Sequence, residues 1–287
     1  MGKTVKVPEI LIGIFLLIIS IICIYPFYYV IISSMSNGTA VEAGKVLLAP
    51  IGVNFSAYKE VFKDTHFWTS YGNTFFYTFV GTAYSMCISI PAAFALAQHS
   101  FKARKIINIL VTFSMWFNPG FIPLYLNYAS LGAENNRWMI IVSFGIQAFN
   151  IILLRNYFES VPKELIESAK IDGANYFRVL FSIFLPVSKP ALATVTLYYA
   201  MSRWNSYFWA SVLLSDIKKI PLQVYIKQKI IEQSLVMEYS AMIGSAEFTF
   251  TTLIYALVVC SIIPVMIIFP LITKYFEKGV MVGAVKG

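Results

Sequence analysis

Catalysis needs a nucleophile, a base or a metal cluster held close together, and this sequence supplies few of those parts. His66 and His99 are its only histidines. It has no HExxH or GxSxG arrangement and no Walker-type phosphate loop. Cys23, Cys87 and Cys260 lack the paired spacing of a disulfide framework or metal site, and small apolar packing suits all three. Two other groups carry more chemistry. One is the run Tyr198, Tyr199, Arg203, Trp204, Asn205, Tyr207, Phe208 and Trp209. Sugar rings lie on aromatic faces while their hydroxyls meet polar groups, so Tyr199, Arg203, Trp204, Asn205 and Trp209 are candidate contacts along a carbohydrate path. Packing and headgroup-belt roles compete for each ring. The other group lies in 159–190, where two short helical patterns flank Asp172-Gly173.

The solvent that positions these residues is a membrane. The 287 residues are 58% hydrophobic and 13% charged, whereas a soluble domain is roughly a quarter charged. Six apolar runs, 10–33, 72–97, 106–128, 138–154, 191–214 and 250–273, approach the ~20 residues that a helix needs to cross the hydrocarbon core. A helix satisfies every backbone donor and acceptor internally. The runs are rich in residues that also suit strands, but they are continuously apolar rather than alternating as a lipid-facing barrel strand must be, so helices are the better reading. The expected fold is therefore all-α, with about six transmembrane helices in one domain covering 1–287. The remaining stretches are too short for a core of their own. The first run exceeds a typical signal h-region and no small-x-small cleavage site follows it, so it reads as a retained helix.

Lys and Arg mark the cytoplasmic side. With the N-terminus inside, the inner loops hold 13 of them and the outer loops 8, where eight acidic residues balance them. Both termini are expected in the cytoplasm, with a loop at about 155–190 and a tail at 274–287. The basic excess is an orientation signal and an attraction to lipid headgroups rather than a sign of nucleic-acid binding. Arg203 is the only charge inside a span. It must face the protein interior, a partner or water. Two explanations stand: pairing with a carboxylate or backbone carbonyls of a neighbouring subunit, which is favoured, or facing an anionic sugar such as a uronate. Asn118, Gln147 and Asn150 suit hydrogen bonds between helices or a path lining.

The inner loop has more pattern than a connection needs. Ser160 can cap a helix whose first turn tolerates Pro162 and favours Glu164, with Leu165, Ile166 and Ala169 on one apolar face. Gly173 permits a sharp turn. Phe177, Leu180, Phe181 and Phe184 then follow at the spacing of one buried helical stripe, ended by Pro186 and Pro190. Physics alone leaves two readings open: a helix lying on the membrane, or a rigid element seated in a soluble partner's groove that moves as the partner moves.

The residues themselves resemble a known pattern. ESAKIDGANYFRVLFSIFLPVSKP is similar to the EAA loop of ABC-type import permeases, which reads Glu-Ala-Ala, three residues, Gly, nine residues, Ile, one residue, Leu-Pro. Glu167, Ser168, Ala169, Gly173, Ile183, Leu185 and Pro186 stand at those spacings, with Ser168 in place of the usual Ala. The resemblance extends over nearly the whole chain to the carbohydrate-uptake class and the second permease subunit of maltose-type importers. It includes AFALAQHSFKARK, LLRNYFESVPKELIESA, RWNSYFWA and the terminal GVMVGAVKG, the last closest to permeases for alginate and other complex glycans.

The resemblance implies the type I importer fold with a coupling helix docked in a cytoplasmic ATPase. Glu167, Ser168, Ala169, Asp172 and Gly173 would form that contact, Glu167 as its polar group and Gly173 as the turn. It also implies a tail contact with the ATPase through Val282, Gly283 and Val285. ATP and Mg would be used by the separate ATPase dimer, with no cofactor in this chain. The further partners implied are a related permease subunit, an extracytoplasmic solute-binding protein and an oligosaccharide that is acidic or complex. A membrane-embedded enzyme lacks its catalytic constellation here. An ion-coupled carrier usually holds intramembrane acids or broken helices, and no acidic residue lies in a span.

Overall fold

The computed structural model describes residues 7–237 and 248–284. Helix α1 (Val7–Ser34), helix α2 (Thr65–Ala97) and the Phe250–Ile268 part of the last helix, Phe250–Ala284, are each long and apolar enough to cross a bilayer. They match the first, second and sixth expected spans, with α2 beginning ahead of the expected residue 72.

The other three spans are not the continuous helices the hydropathy suggests. In place of 106–128, α3 (Arg104–Trp116) and α4 (Phe121–Ser130) meet at 118°. Pro119 disfavours a helical Asn118, Gly120 takes φ 89°, and the Asn118 side chain accepts the Gly120 N–H at 3.0 Å. Asn118 thus closes a turn rather than bonding between helices. The run 138–154 divides into α5 (Arg137–Ser143) and α6 (Ala148–Glu159), bent by 51°. Next come α7 (Lys163–Ile171), α8 (Tyr176–Val187) and α9 (Lys189–Trp204), with an 86° bend between α8 and α9. The run 191–214 therefore stops at Trp204, and a short α10 (Phe208–Leu213) follows Asn205–Tyr207.

The chain divides into two compact units. One comprises 1–67 and 226–265. Its apolar cluster joins Ile32, Ala40, Val41 and Val46 with Tyr255 against them, and Tyr29 meets Tyr255 edge-on at 6.1 Å. Backbone carbonyls of the connecting loop are satisfied by α1, since the Tyr25 and Tyr28 hydroxyls donate to Leu47 O and Leu48 O at 3.1 and 2.6 Å.

The second unit comprises 68–225 and 266–287. Its main core runs along α2, α6, α8 and α9, through Phe94, Leu154, Phe158, Leu180, Phe184, Val195 and Tyr199. Phe184 lies edge-on to both Phe94 and Phe158, at 4.9 and 5.4 Å. At the other end, the loop before Leu222 is stitched to α2. Asn73 donates to Lys218 O and Ile220 O at 2.9 and 3.0 Å and accepts from Arg137 at 2.8 Å. Tyr77 donates to Lys219 O, and Thr74 accepts the Leu222 N–H. The Lys218 N–H donates to Asp216, and this bond, aided by the Lys219 charge, holds that carboxyl below the ordinary carboxylate range. Asn73→Leu is expected to destabilise the protein by about 1–3 kcal/mol, because the buried Ile220 O loses its side-chain donor and Arg137 loses an acceptor, while Lys218 O keeps its bond from Arg137 at 2.6 Å. The check is the Tm in detergent, which should fall.

Candidate functional site

Helix breaks place the candidate path. A cavity of about 520 Å³ is lined by the ends of the two broken runs: Ser143, Phe144, Ile146 and Gln147 on one side, Ser202, Arg203 and Asn205 to Trp209 on the other, with Tyr128 closing it. Irregular backbone at membrane depth is tolerated where it is buried in protein or lines a cavity, and discontinuous helices are where transporters build substrate sites. This chain has broken helices of its own, so broken helices do not distinguish an ion-coupled carrier from it.

Of the five residues expected along this path, three line the cavity. Asn205 is exposed and Trp209 half-buried. Trp209 is held at its edge by Tyr128, Phe144 and Phe208, with centroids 5.1, 5.7 and 5.5 Å away. Tyr199 and Trp204 stand behind the wall. Tyr199 is fully buried, its hydroxyl 2.7 Å from Ser89 Oγ, and Trp204 packs edge-on against Phe75 at 5.3 Å. Gln147 has the better geometry for a polar contact. It donates to Ser202 Oγ at 2.9 Å and accepts from Asn150 at 3.0 Å.

Arg203 is the third of the lining residues, 6% exposed. Its Nη1 donates to Ile140 O at 3.1 Å, and its Nη2 to Ile141 O and Phe144 O at 2.9 and 2.7 Å. Those carbonyls end α5, where no further turn exists to use them. Beside them, Val142 O takes the Gly145 N–H at 3.1 Å. Arg203 also occupies the last turn of α9, so its charge lies against the negative ends of two helices. The expected pairing was with a carboxylate or carbonyls of a neighbouring subunit. Instead, the compensation comes from backbone carbonyls of this same chain.

The second candidate site is the α7–α8 pair. α7 ends in a Schellman motif: Ala174 N–H donates to Ala169 O at 2.9 Å, Gly173 N–H to Lys170 O at 3.0 Å, and Gly173 takes φ 77°. Ser160 does not cap α7. It closes α6, its hydroxyl donating to Tyr157 O at 2.7 Å, while Pro162 precedes α7 and Asn175 caps α8 by accepting the Arg178 N–H at 2.8 Å. Glu167, Ser168, Asp172 and Gly173 are exposed and Ala169 is half-buried. The expected stripe on α8 divides. Leu180 and Phe184 are buried, whereas Phe177 and Phe181 are 75% and 63% exposed, and Ile171 at the end of α7 is 87% exposed. A π-helical turn at Leu180–Phe184 offsets the helical spacing. On α7, Ile166 and Ala169 pack inward and Leu165 does not.

Beside α7 is a smaller cavity of about 260 Å³ lined in part by His99, Glu159, Glu167 and Lys170. A polar cluster that sequence reasoning missed forms its edge. Arg155 grips Glu159 with two nitrogens at 3.2 and 3.1 Å and reaches Asn108 at 3.1 Å, and Arg104 bonds both Glu159 and His99. The i, i+4 spacing of Arg155 and Glu159 on one helix was the available signal. Val282 and Gly283 belong to the end of the last helix, and Val285 lies outside the described residues.

Comparison with known proteins agrees with this architecture. Residues 67–282 match the family described as the binding-protein-dependent transport system inner membrane component. The chain is 38% identical to the polygalacturonan/rhamnogalacturonan transport system permease protein YtcP of Bacillus subtilis (strain 168), over 95% of this chain and 96% of that one. It is 28% identical to the maltodextrin transport system permease protein MalD of Streptococcus pneumoniae (strain ATCC BAA-255 / R6), over 98% and 97%. A solved bacterial ABC transporter chain involved in import of the acidic polysaccharide alginate superposes with a TM-score of 0.87 at 41% identity, covering 96% of this chain and 99% of that chain.

Proposed function

The chain belongs to the family of inner membrane components of binding-protein-dependent transport systems, and from that premise we propose that it lines the translocation path for a uronate-containing oligosaccharide in an ATP-driven importer. The cavity at the helix breaks carries this reading, because it sets an aromatic face, Trp209, beside the amide and hydroxyl groups of Gln147, Ser202, Asn205 and Ser206. The substrate class is supported by two of the most similar relatives, named for polygalacturonan/rhamnogalacturonan and for alginate, polymers that contain carboxylated sugars.

The pore is completed by a second, related permease subunit. A cytoplasmic ATPase dimer hydrolyses ATP with Mg and grips α7, while a solute-binding protein delivers the oligosaccharide from outside. Both termini face the cytoplasm, in keeping with the excess of Lys and Arg on that side. Ile171, Phe177 and Phe181 give the α7–α8 pair an exposed apolar face suited to a groove. Phe184, locked between Phe94 and Phe158, would carry a displacement of that pair into α2 and α6. The test is the ATPase rate of the purified whole complex in lipid, with its binding protein present. Uronate oligosaccharides should raise the rate and neutral maltodextrins should not; stimulation by maltodextrin alone would refute the substrate class.

A further inference from the structure

A buried arginine in a sugar path invites the idea that it attracts a substrate carboxylate. The geometry points elsewhere. We propose that Arg203 is a positioning residue that sets the cavity wall by its shape and hydrogen bonds, and that it does not read the charge of the glycan. This rests on the importer reading above.

Three of the five guanidinium N–H groups of Arg203 are already engaged by carbonyls at the end of α5, and the residue is only 6% exposed, so a carboxylate in the cavity meets a guanidinium already fixed in place and largely covered. Those bonds decide where α5 stops and hence where Phe144 to Gln147 enters the cavity. Gln147 in turn bonds Ser202, the residue next to Arg203. The two broken runs that form opposite walls are thus keyed to one side chain. On its other side the guanidinium lies against Gly81 of α2, where an added methyl would stand 2.9 Å from Nε, 3.2 Å from Cδ and 3.3 Å from Cζ. The absence of a side chain at Gly81 is what gives the guanidinium its seat. A side chain held by three bonds cannot swing aside cheaply, so the fit is sensitive to a single carbon.

The experiment uses the whole complex in proteoliposomes and measures glycan transported per ATP hydrolysed for Arg203→Lys, Arg203→Gln and Gly81→Ala. Lys keeps the charge but offers one nitrogen on a shorter stem in place of the two separate nitrogens that reach these carbonyls, and Gly81→Ala keeps the arginine while shifting it. All three are expected to lower the ratio about tenfold in the assembled fraction, the factor that one lost hydrogen bond makes; the Tm falls as the carbonyls lose their donors, while glycan-stimulated ATPase per assembled complex changes far less. Retention of the unmodified ratio by Arg203→Lys, with loss only in Arg203→Gln, would overturn the proposal in favour of charge reading. Parallel loss of ATPase and transport per assembled complex in all three would overturn it in favour of a purely structural role. An unmodified complex that responds to no glycan would fail the importer reading itself, a result distinguishable from both.

Discussion

Gly145→Ala is expected to be among the most damaging single-methyl additions in this chain. Gly145 lies in the break between α5 and α6, and a methyl there would stand 2.3 Å from Tyr84 Cε1 and 2.8 Å from its Cδ1, with Val142 O at 3.1 Å. The first of these distances is far inside van der Waals contact, so the ring or the break must move. Moving the break would pull on the carbonyls that Arg203 holds. Overpacking of this kind costs about 1–3 kcal/mol and at times more, and here it also threatens three hydrogen bonds of Arg203, two of them buried. The complex should melt at a clearly lower temperature, with transport lost in proportion to the unfolded fraction. Removing the ring should relieve the clash. Adding Tyr84→Ala to Gly145→Ala should therefore cost at least about 1 kcal/mol less than the sum of the two single changes. Additive losses would mean that the clash is not the cause.

Phe177→Asp and Phe181→Asp should act on function rather than on folding. Both side chains point away from the core that Leu180 and Phe184 fill on the same helix, so a charge there meets solvent in the isolated chain and loses a contact only when a partner covers it. Loss of a central apolar anchor costs more than about 1.4 kcal/mol, which is tenfold or more in binding. Each variant is expected to assemble with its permease partner at normal yield and Tm, yet to capture the ATPase at least tenfold more weakly and to lose glycan-stimulated hydrolysis. Leu180→Asp, which buries its charge, is the contrast: it should lower the Tm as well. Unchanged ATPase capture by both surface variants would remove the docking role from this face.

Several features were legible in the residue order because they depend on local rules. Apolar run length located the three continuous helices near 10–33, 72–97 and 250–273 but not the breaks in the other three runs, and the αL turn at Gly173 followed from the only residue type that adopts φ 77° without strain. The break in the third span was written as Asn118-Pro119-Gly120, a turn signal that mean apolarity hides. The division of the α8 stripe was less legible, since a π-helical turn changes which residues share a face and no periodicity count anticipates it.

At Arg203, sequence alone determined that a charge in an apolar run must be compensated, because leaving it uncompensated in hydrocarbon is too costly. Which groups compensate it was decided only by the tertiary structure. The acceptors at Ile140, Ile141 and Phe144 lie about 60 positions away, at separations of 63, 62 and 59. They exist only because α5 ends early and leaves its carbonyls free. The same holds for Gly81 and Gly145, whose missing side chains mean nothing until Arg203 and Tyr84 are folded against them. Composition fixes the solvent and the helices. Where the helices stop, and what fills the gaps, is set by contacts between residues far apart in the chain.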